Sequence, residues 1–214
     1  MPQHYILGID IGTGSIKAVA INQKAEIIYS SQIFYPNNTN QNEQDVEMIF
    51  DCFRQMIKLV VDTLASPQLI SLSSAMHSIL AVDENSKPLT KAILWSDKRS
   101  SDIAEALRQS DVGKHLYEAT GTPIHAMSPL CKIKWLGENE KLIFERTFKF
   151  ISIKEYIWHQ LFAEYKIDFS IASATGLFNI KTLLECNRIV HCRDRQRKII
   201  AAGIYKLSAD NPQS

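Results

Sequence analysis

The first residues with an evident chemistry are Gly8-x-Asp10-x-Gly12-Thr13-Gly14-Ser15. Glycine lacks the Cβ that holds a phosphate away from backbone N–H groups, so a glycine-rich turn lets several of them converge on one anion. Two familiar phosphate signatures do not apply. A dinucleotide fingerprint needs a third glycine where Lys17 stands and a helix after it, whereas Lys17-Ala18-Val19-Ala20-Ile21 alternates as a strand does. The G-x-x-x-x-G-K-[ST] loop is absent. What remains is strand, glycine-rich hairpin, strand, with Asp10 closing the first strand. That order suits a nucleotide phosphate on the hairpin and a hydrated Mg²⁺ near Asp10, since Mg²⁺ keeps its water and takes hard carboxylate oxygen. The same residues also make an ordinary hairpin with its glycines at positive φ. Cys186, His191 and Cys192 carry metal-ligand types, but the fourth ligand of a tetrahedral site is missing.

Around the hairpin, Tyr5–Ile9, Lys17–Ile21 and Glu26–Gln32 read as three strands joined by tight turns, an antiparallel meander. Apolar residues at Val46, Ile49, Phe50, Phe53, Met56, Ile57, Val60 and Leu64 then recur at helical spacing until Ser66-Pro67 stops them. Leu69–Ser73, Ile79–Val82 and Ile93–Trp95 read as strands. Asp102–Gln109, with a D-x-x-E start at Asp102 and Glu105, Pro129–Leu136 and Lys154–Phe162 read as helices. The order β-β-β-α-β-α predicts an α/β domain with a mixed sheet.

Composition narrows the class. At 214 residues and 45% apolar the chain can bury a substantial core. With 24 basic and 23 acidic side chains, the net charge of +1 gives no electrostatic reason to expect nucleic acid or an anionic membrane as partner. No apolar run approaches the eighteen or so residues of a membrane span, and the N-terminus lacks the pattern of a signal peptide. Cys52, Cys131, Cys186 and Cys192 show no close pairing and fit reduced thiols. A cytoplasmic protein is expected.

A longer pattern begins at Met127-Ser128-Pro129-Leu130-Cys131-Lys132-Ile133-Lys134-Trp135-Leu136-Gly137-Glu138-Asn139. It resembles the M-x-P-x-x-K-[aliphatic]-x-W-[aliphatic]-x-[acidic]-N signature of the FGGY carbohydrate kinases. The Ile9–Lys17 stretch resembles the first phosphate motif of the same family and of the wider actin/hexokinase-like ATPases. Asp168-Phe169-Ser170-Ile171-Ala172-Ser173-Ala174-Thr175-Gly176-Leu177-Phe178 resembles its D-x-S-x-A-S-x-T-G-L-F segment. The three stand in the family's order and cover residues 5 to about 183.

Ala75-Met76-His77-Ser78, Leu94–Ser100, Thr120–Pro129 and Ser152–Tyr156 resemble the gluconate kinases of the family, with xylulose kinases sharing Met-His and Trp-x-Asp-x-Arg. The resemblance implies a ribonuclease H-like (actin/hexokinase-like ATPase) fold and ATP with Mg²⁺ as cofactors. It implies that Asp10 holds Mg²⁺ through water while Thr13, Gly14, Ser15 and Lys17 face the ATP phosphates. It further implies that Met76, His77, Trp95, Asp97 and Arg99 line a pocket for a polyol or sugar acid, where Arg or His would suit a gluconate carboxylate. Taken singly, His77 also reads as a satisfied buried histidine, and Asp97 with Arg99 as a solvated pair or a helix cap. Lys132 and Trp135, three apart, read as packing or anchoring groups of their helix. Lys154 and Asp168 read as structural.

Phosphoryl transfer to a hydroxyl also needs a general base. In FGGY kinases it is an aspartate in a G-x-x-D segment near the junction to a second, ATP-binding domain, in chains more than twice this length. After Leu184 only Asp194, Asp210 and Gly203 remain, and no such segment occurs. Residues 185–214 carry six basic and three acidic side chains, against 18 and 20 before them. We therefore expect an N-terminal kinase domain at 1–184, with an atypical basic tail at 185–214 that a frameshift near codon 185 would explain. The C-terminal half, catalytic base included, is expected to be missing and the chain alone to be inactive.

Overall fold

The computed structural model describes residues 4–36 and 42–181, and the backbone of 184–185. β1 (Tyr5–Ile11), β2 (Ser15–Asn22) and β3 (Ile27–Phe34) form the expected meander, with Asp10 opposite Lys17 and Lys17 opposite Gln32. Alternation decides which face is buried: Tyr5, Leu7, Ile9 and Ile11 point into the core, while Ile6 and Asp10 point away.

The two-residue strand β4 (Glu43–Gln44) leads into α1 (Val46–Leu64). The carboxylate of Asp45 accepts from the amides of Glu47 and Met48 and caps the helix, which lays Ile49, Phe53, Met56 and Val60 on the sheet. It ends at Ala65, held at φ +66° just before Ser66-Pro67. β5 (Leu69–Ser74) then returns parallel to β1, giving the order β3-β2-β1-β5. The sheet is mixed, as predicted. β5 is its terminal strand among the described residues, and a groove of about 640 Å³ runs beside it, walled by Phe53, Ile70, Leu72, Trp158, Leu161 and Phe162.

β6 (Leu80–Val82) is paired with a distant strand, β8 (Lys149–Ile151), and this pair divides two cores. Leu80, Val82 and Ile151 face the core under α1, whereas Ala81 and Phe150 face a second core. β7 (Ala92–Ile93) pairs with β4 and adds Ile93 to that second core. Around it lie α2 (Ser101–Arg108), α3 (Asp111–Thr120), α4 (Pro129–Asn139), α5 (Lys141–Arg146) and α7 (Phe169–Ser173), with α6 (Ile153–Phe162) on the first core. β9 (Phe178–Asn179) pairs with β10 (Leu184–Glu185).

Two expectations change. The Asp102–Glu105 pattern is not a capping box: α2 starts one residue earlier, and Glu105 bonds Arg108 and Gln109 instead. Ser100, not Asp97, sits at the N-cap position, so capping does not explain Asp97. Helices α3, α5 and α7 and strands β4, β8, β9 and β10 have no counterpart among the elements expected from the sequence. Cys52 and Cys131 are buried free thiols, and no described helix is long and apolar enough to cross a membrane. The basic tail after Glu185, with Cys186, His191 and Cys192, lies outside the described residues.

Candidate functional site

The hairpin between β1 and β2 is fixed from three sides. The Gly12 amide donates to Ser15 O at 3.0 Å, and the Tyr35 amide donates to Gly14 O at 3.1 Å. The Tyr35 hydroxyl donates to Gly12 O at 3.1 Å, and Gln44 Nε2 donates to Thr13 O. Burial, with the charges of Cys52 and Asp10, pushes the Tyr35 phenol far up, so it remains a donor. Neither Gly12 nor Gly14 is among the positive-φ residues, so the turn does not require glycine for its backbone angles. A Cβ on Gly14 would meet nothing within 4 Å. Neither strain nor packing accounts for that glycine, and an open cradle in front of the backbone is what it provides.

Asp10 and Lys17 face each other across the β1–β2 ladder on the sheet face away from α1, both exposed. Ser73 Oγ donates to Asp10 Oδ1 at 2.7 Å, which orients the carboxylate. An exposed, oriented carboxylate beside an open glycine turn is a hard-oxygen donor set that fits hydrated Mg²⁺ and phosphate. Ser15 is buried instead, its hydroxyl accepting from Gln32 Nε2 at 2.8 Å.

The second group of residues meets at one buried atom. Lys132 Nζ donates to His77 O at 3.0 Å, Leu94 O at 2.6 Å and Met127 O at 2.9 Å, and its side chain is 0% exposed. These carbonyls belong to the Met76–His77, Leu94–Arg99 and Met127–Ser128 segments, so residues from three distant stretches share one neighbourhood. Burial pulls the ammonium from 10.5 down to about 8, partly opposed by Asp97. That drop corresponds to roughly 3 kcal/mol, to be set against about 1–3 kcal/mol for each buried carbonyl left unpaired; of the three, the Leu94 carbonyl also receives the Asp97 amide.

His77 sits at φ +62°, a strained angle for a residue with a Cβ, and its Nδ1 lies 3.0 Å from Ala174 O. A carbonyl only accepts, so Nδ1 carries the proton and Nε2 is left as an acceptor. Burial lowers the His77 pKa, the Ala174 bond opposes this, and Lys132 and His125 lower it further. The ring is therefore neutral at pH 7.

Asp97 is 5% exposed. Its Oδ1 accepts from the Arg99 amide at 2.9 Å and from Nε at 2.8 Å, and its Oδ2 from Nη2 at 2.9 Å. Burial would raise the carboxyl, but the Arg99 bonds and charge hold it below its ordinary value. Arg99 Nη2 also donates to Glu43, and the guanidinium lies over Trp135 at 5.2 Å. Arg99 is thus a framework cation shared by two carboxylates rather than a free one. Met76 and Trp95 are exposed beside these groups.

Strand β4 joins the two groups, since Glu43 holds Arg99 while its neighbour Gln44 holds the hairpin carbonyl of Thr13. The Asp168–Phe178 stretch clips the second group from behind. Asp168 caps α7, pairs with Lys154 at 2.6 Å, and places Ala174 O on His77 and Thr175 O on the Leu130 amide at 3.0 Å. Glu43, Gln44 and Tyr35 carried no sequence signal, because each acts through contacts made across the fold.

Known proteins share the sequence and the fold of this chain. The model of the FGGY family of carbohydrate kinases, N-terminal domain, matches residues 5–196. The gluconokinase of Bacillus subtilis (strain 168) is 45% identical over 184 residues, 84% of this chain and 36% of that protein. The crystal structure of gluconate kinase from Lactobacillus acidophilus superposes with a TM-score of 0.79 at 31% identity, covering 86% of this chain and 38% of that one. Ligand-bound xylulose kinase from Lactobacillus acidophilus superposes with a TM-score of 0.81 at 30% identity, covering 87% and 39%. The chain spans little more than a third of the length of these relatives.

Proposed function

Because the chain belongs to the FGGY family of carbohydrate kinases, with the actin/hexokinase-like ATPase fold of its solved members, we propose that it carries the sugar pocket and first phosphate loop of an ATP-dependent kinase. The observation that supports this is the joining, through β4, of an open glycine turn and a buried-lysine cluster of hydrogen-bonding side chains. In this reading Asp10 orients the water around Mg²⁺, while Thr13, Gly14 and Lys17 face the ATP phosphates and Ser15 fixes the turn against β3. Mg²⁺ with ATP supplies the phosphoryl group and neutralises its charge. His77 Nε2 and the remaining lone pair of Asp97 Oδ2 accept sugar hydroxyls, Arg99 holds Asp97 in place, and Met76 and Trp95 cover the apolar face of the carbon chain. The setting is the cytoplasm.

Gluconate, converted to 6-phosphogluconate in the intact reaction, is the favoured substrate on the 45% identity to a gluconokinase. A neutral sugar such as xylulose is the second reading. Arg99 is already held by two carboxylates and His77 is neutral, so neither offers a gluconate carboxylate a free positive charge. Calorimetric titration with gluconate, xylulose and glycerol separates the readings, with gluconate expected to bind at millimolar or tighter affinity. Without a G-x-x-D aspartate, the chain alone should show no turnover with gluconate and Mg-ATP. Measurable turnover would overturn the assignment of the base to a missing half, and binding of none of the three would overturn the pocket.

A further inference from the structure

Lys132 lies outside both groups of expected contacts, yet among the described residues its side chain is the one hydrogen-bonded to all three sugar-side segments. An ammonium has three N–H donors, and each is directed at a different carbonyl. The carbonyl of His77 belongs to a residue strained at φ +62°. The carbonyl of Leu94 also receives the Asp97 amide at 3.1 Å, and the carbonyl of Met127 leads directly into α4. Two further contacts join neighbouring residues of these segments, the Ile79–Ile93 backbone pair and the bond from Ser100 Oγ to Ala126 O at 3.0 Å, but the three carbonyls themselves meet only at Lys132 among the described contacts.

Resting on the sugar-kinase reading above, we propose that Lys132 is the positioning residue of the pocket: its ammonium sets segments 75–78, 94–99 and 125–128 in register, and the register is released when it loses a proton. With no exposed surface it cannot touch substrate, so it acts only through the residues it holds. A neutral amine keeps two N–H groups and gains a lone pair, so one of the three carbonyls must face that lone pair and withdraw. Facing Lys132, Asp97 and Cys131 favour the charged form and Arg99 disfavours it, with Arg99 itself balanced by Asp97 and Glu43. His77, Lys98 and His125 are the other titratable groups on these segments. Burial places the ammonium near pH 8, within reach of a mild alkaline shift.

The test uses the ligand-free 214-residue chain first. Backbone ¹³C carbonyl resonances of His77, Leu94 and Met127, followed by NMR from about pH 7 to 10, should move together with one midpoint near 8. In Lys132→Met, which keeps the length and apolar stem, the three should be displaced and show no midpoint. Gluconate and xylulose are then titrated at about pH 7 and 9. One controlling protonation near 8 weakens wild-type binding about tenfold between those values, while Lys132→Met should bind weakly and equally at both. Three unrelated midpoints, or none, would overturn the proposal, as would a Lys132→Met chain with wild-type affinity and pH profile. Should Lys132→Met fail to fold, the wild-type carbonyl titration alone decides. Coupled carbonyl midpoints without binding of either sugar at pH 7 would support the three-way hold and overturn only the sugar reading beneath it.

Discussion

Replacing Asp97 by asparagine separates a fixed frame from a solvated surface pair. Asp97 accepts two bonds on Oδ1 and one on Oδ2, all from Arg99. Asparagine has the same shape but one end that only donates. With its oxygen in the Oδ1 position it keeps two bonds and aims an NH₂ at the Arg99 Nη2 donor; turned over, it keeps one and opposes two donors. The better orientation therefore loses one charge-assisted bond, about 1.5–3 kcal/mol. Arg99 is 24% exposed and still has Glu43, which brings the expected loss to about 1.5–2 kcal/mol. In a chain of this size each kcal/mol moves the thermal midpoint by about 2–4 °C, so Asp97→Asn should melt roughly 3–8 °C lower. Scanning calorimetry at pH 7 reads this directly, with Glu43→Gln beside it as the milder change to the same guanidinium. A midpoint for Asp97→Asn within about 1 °C of wild type would refute the reasoning. The cluster would then be a surface ion pair of negligible worth, and a rigid acceptor at the pocket wall would have no support.

Gly113 offers a test in which two rules disagree in sign. Alanine is the better helix former by about 1 kcal/mol, but its Cβ would stand 1.8 Å from Leu107 O, where α2 turns into α3. Backbone cannot yield as a flexible side chain does, so Gly113→Ala should destabilise by at least about 2 kcal/mol in urea unfolding; a gain in stability would show that the corner is looser than described. Asp168 tests charge against pH. Burial raises its carboxyl, but the bonds from Lys154, Ser170 and Ile171 outweigh this and bring it to about 2 from an ordinary 3.8. A depressed carboxyl contributes stability above its unfolded value and loses it as pH falls through the folded one. Because the side chain is 39% exposed, solvent screening leaves about 1 kcal/mol. An asparagine in its place would still cap α7, so Asp168→Asn should cost about that at pH 7 and nothing near pH 2; an unchanged cost at pH 2 would rule out charge as the origin.

What the sequence made legible follows from how local each signal is. The meander, α1 and β5 rest on alternation and helical spacing over many residues, and they stand within a residue or two of the expected places. α3 leaves a faint pattern because its buried face is Gly113, Leu116 and Thr120, two of them too small to register as an apolar stripe. β4 is two polar residues long, and only its partners across the fold give it meaning. At the candidate site, the hairpin and its aspartate were legible because a glycine pattern is contiguous. The anchoring role of Lys132 was readable from its helix, but three acceptors from residues 77, 94 and 127 were not. Nor was the sharing of Arg99 between Asp97 and Glu43, which turns an expected ligand contact into part of the frame.

The terminal position of β5 also bears on how the chain behaves in a concentrated solution. Leu-Ile-Ser-Leu-Ser-Ser holds no charged residue and no proline, and its register against β1 runs without a bulge, so the strand itself carries nothing that blunts the edge, and the described charges nearest it are those of Lys154, Lys166 and Asp168 along the groove. Leu69 and Ile70 are 54% and 42% exposed along that edge. A net charge of +1 gives copies of the chain almost no mutual repulsion near neutral pH. Colloidal stability then falls to short-range contact: protein concentration, more than temperature, sets when the edges find one another, and one lysine in place of Leu69 should extend the clear range without touching either core.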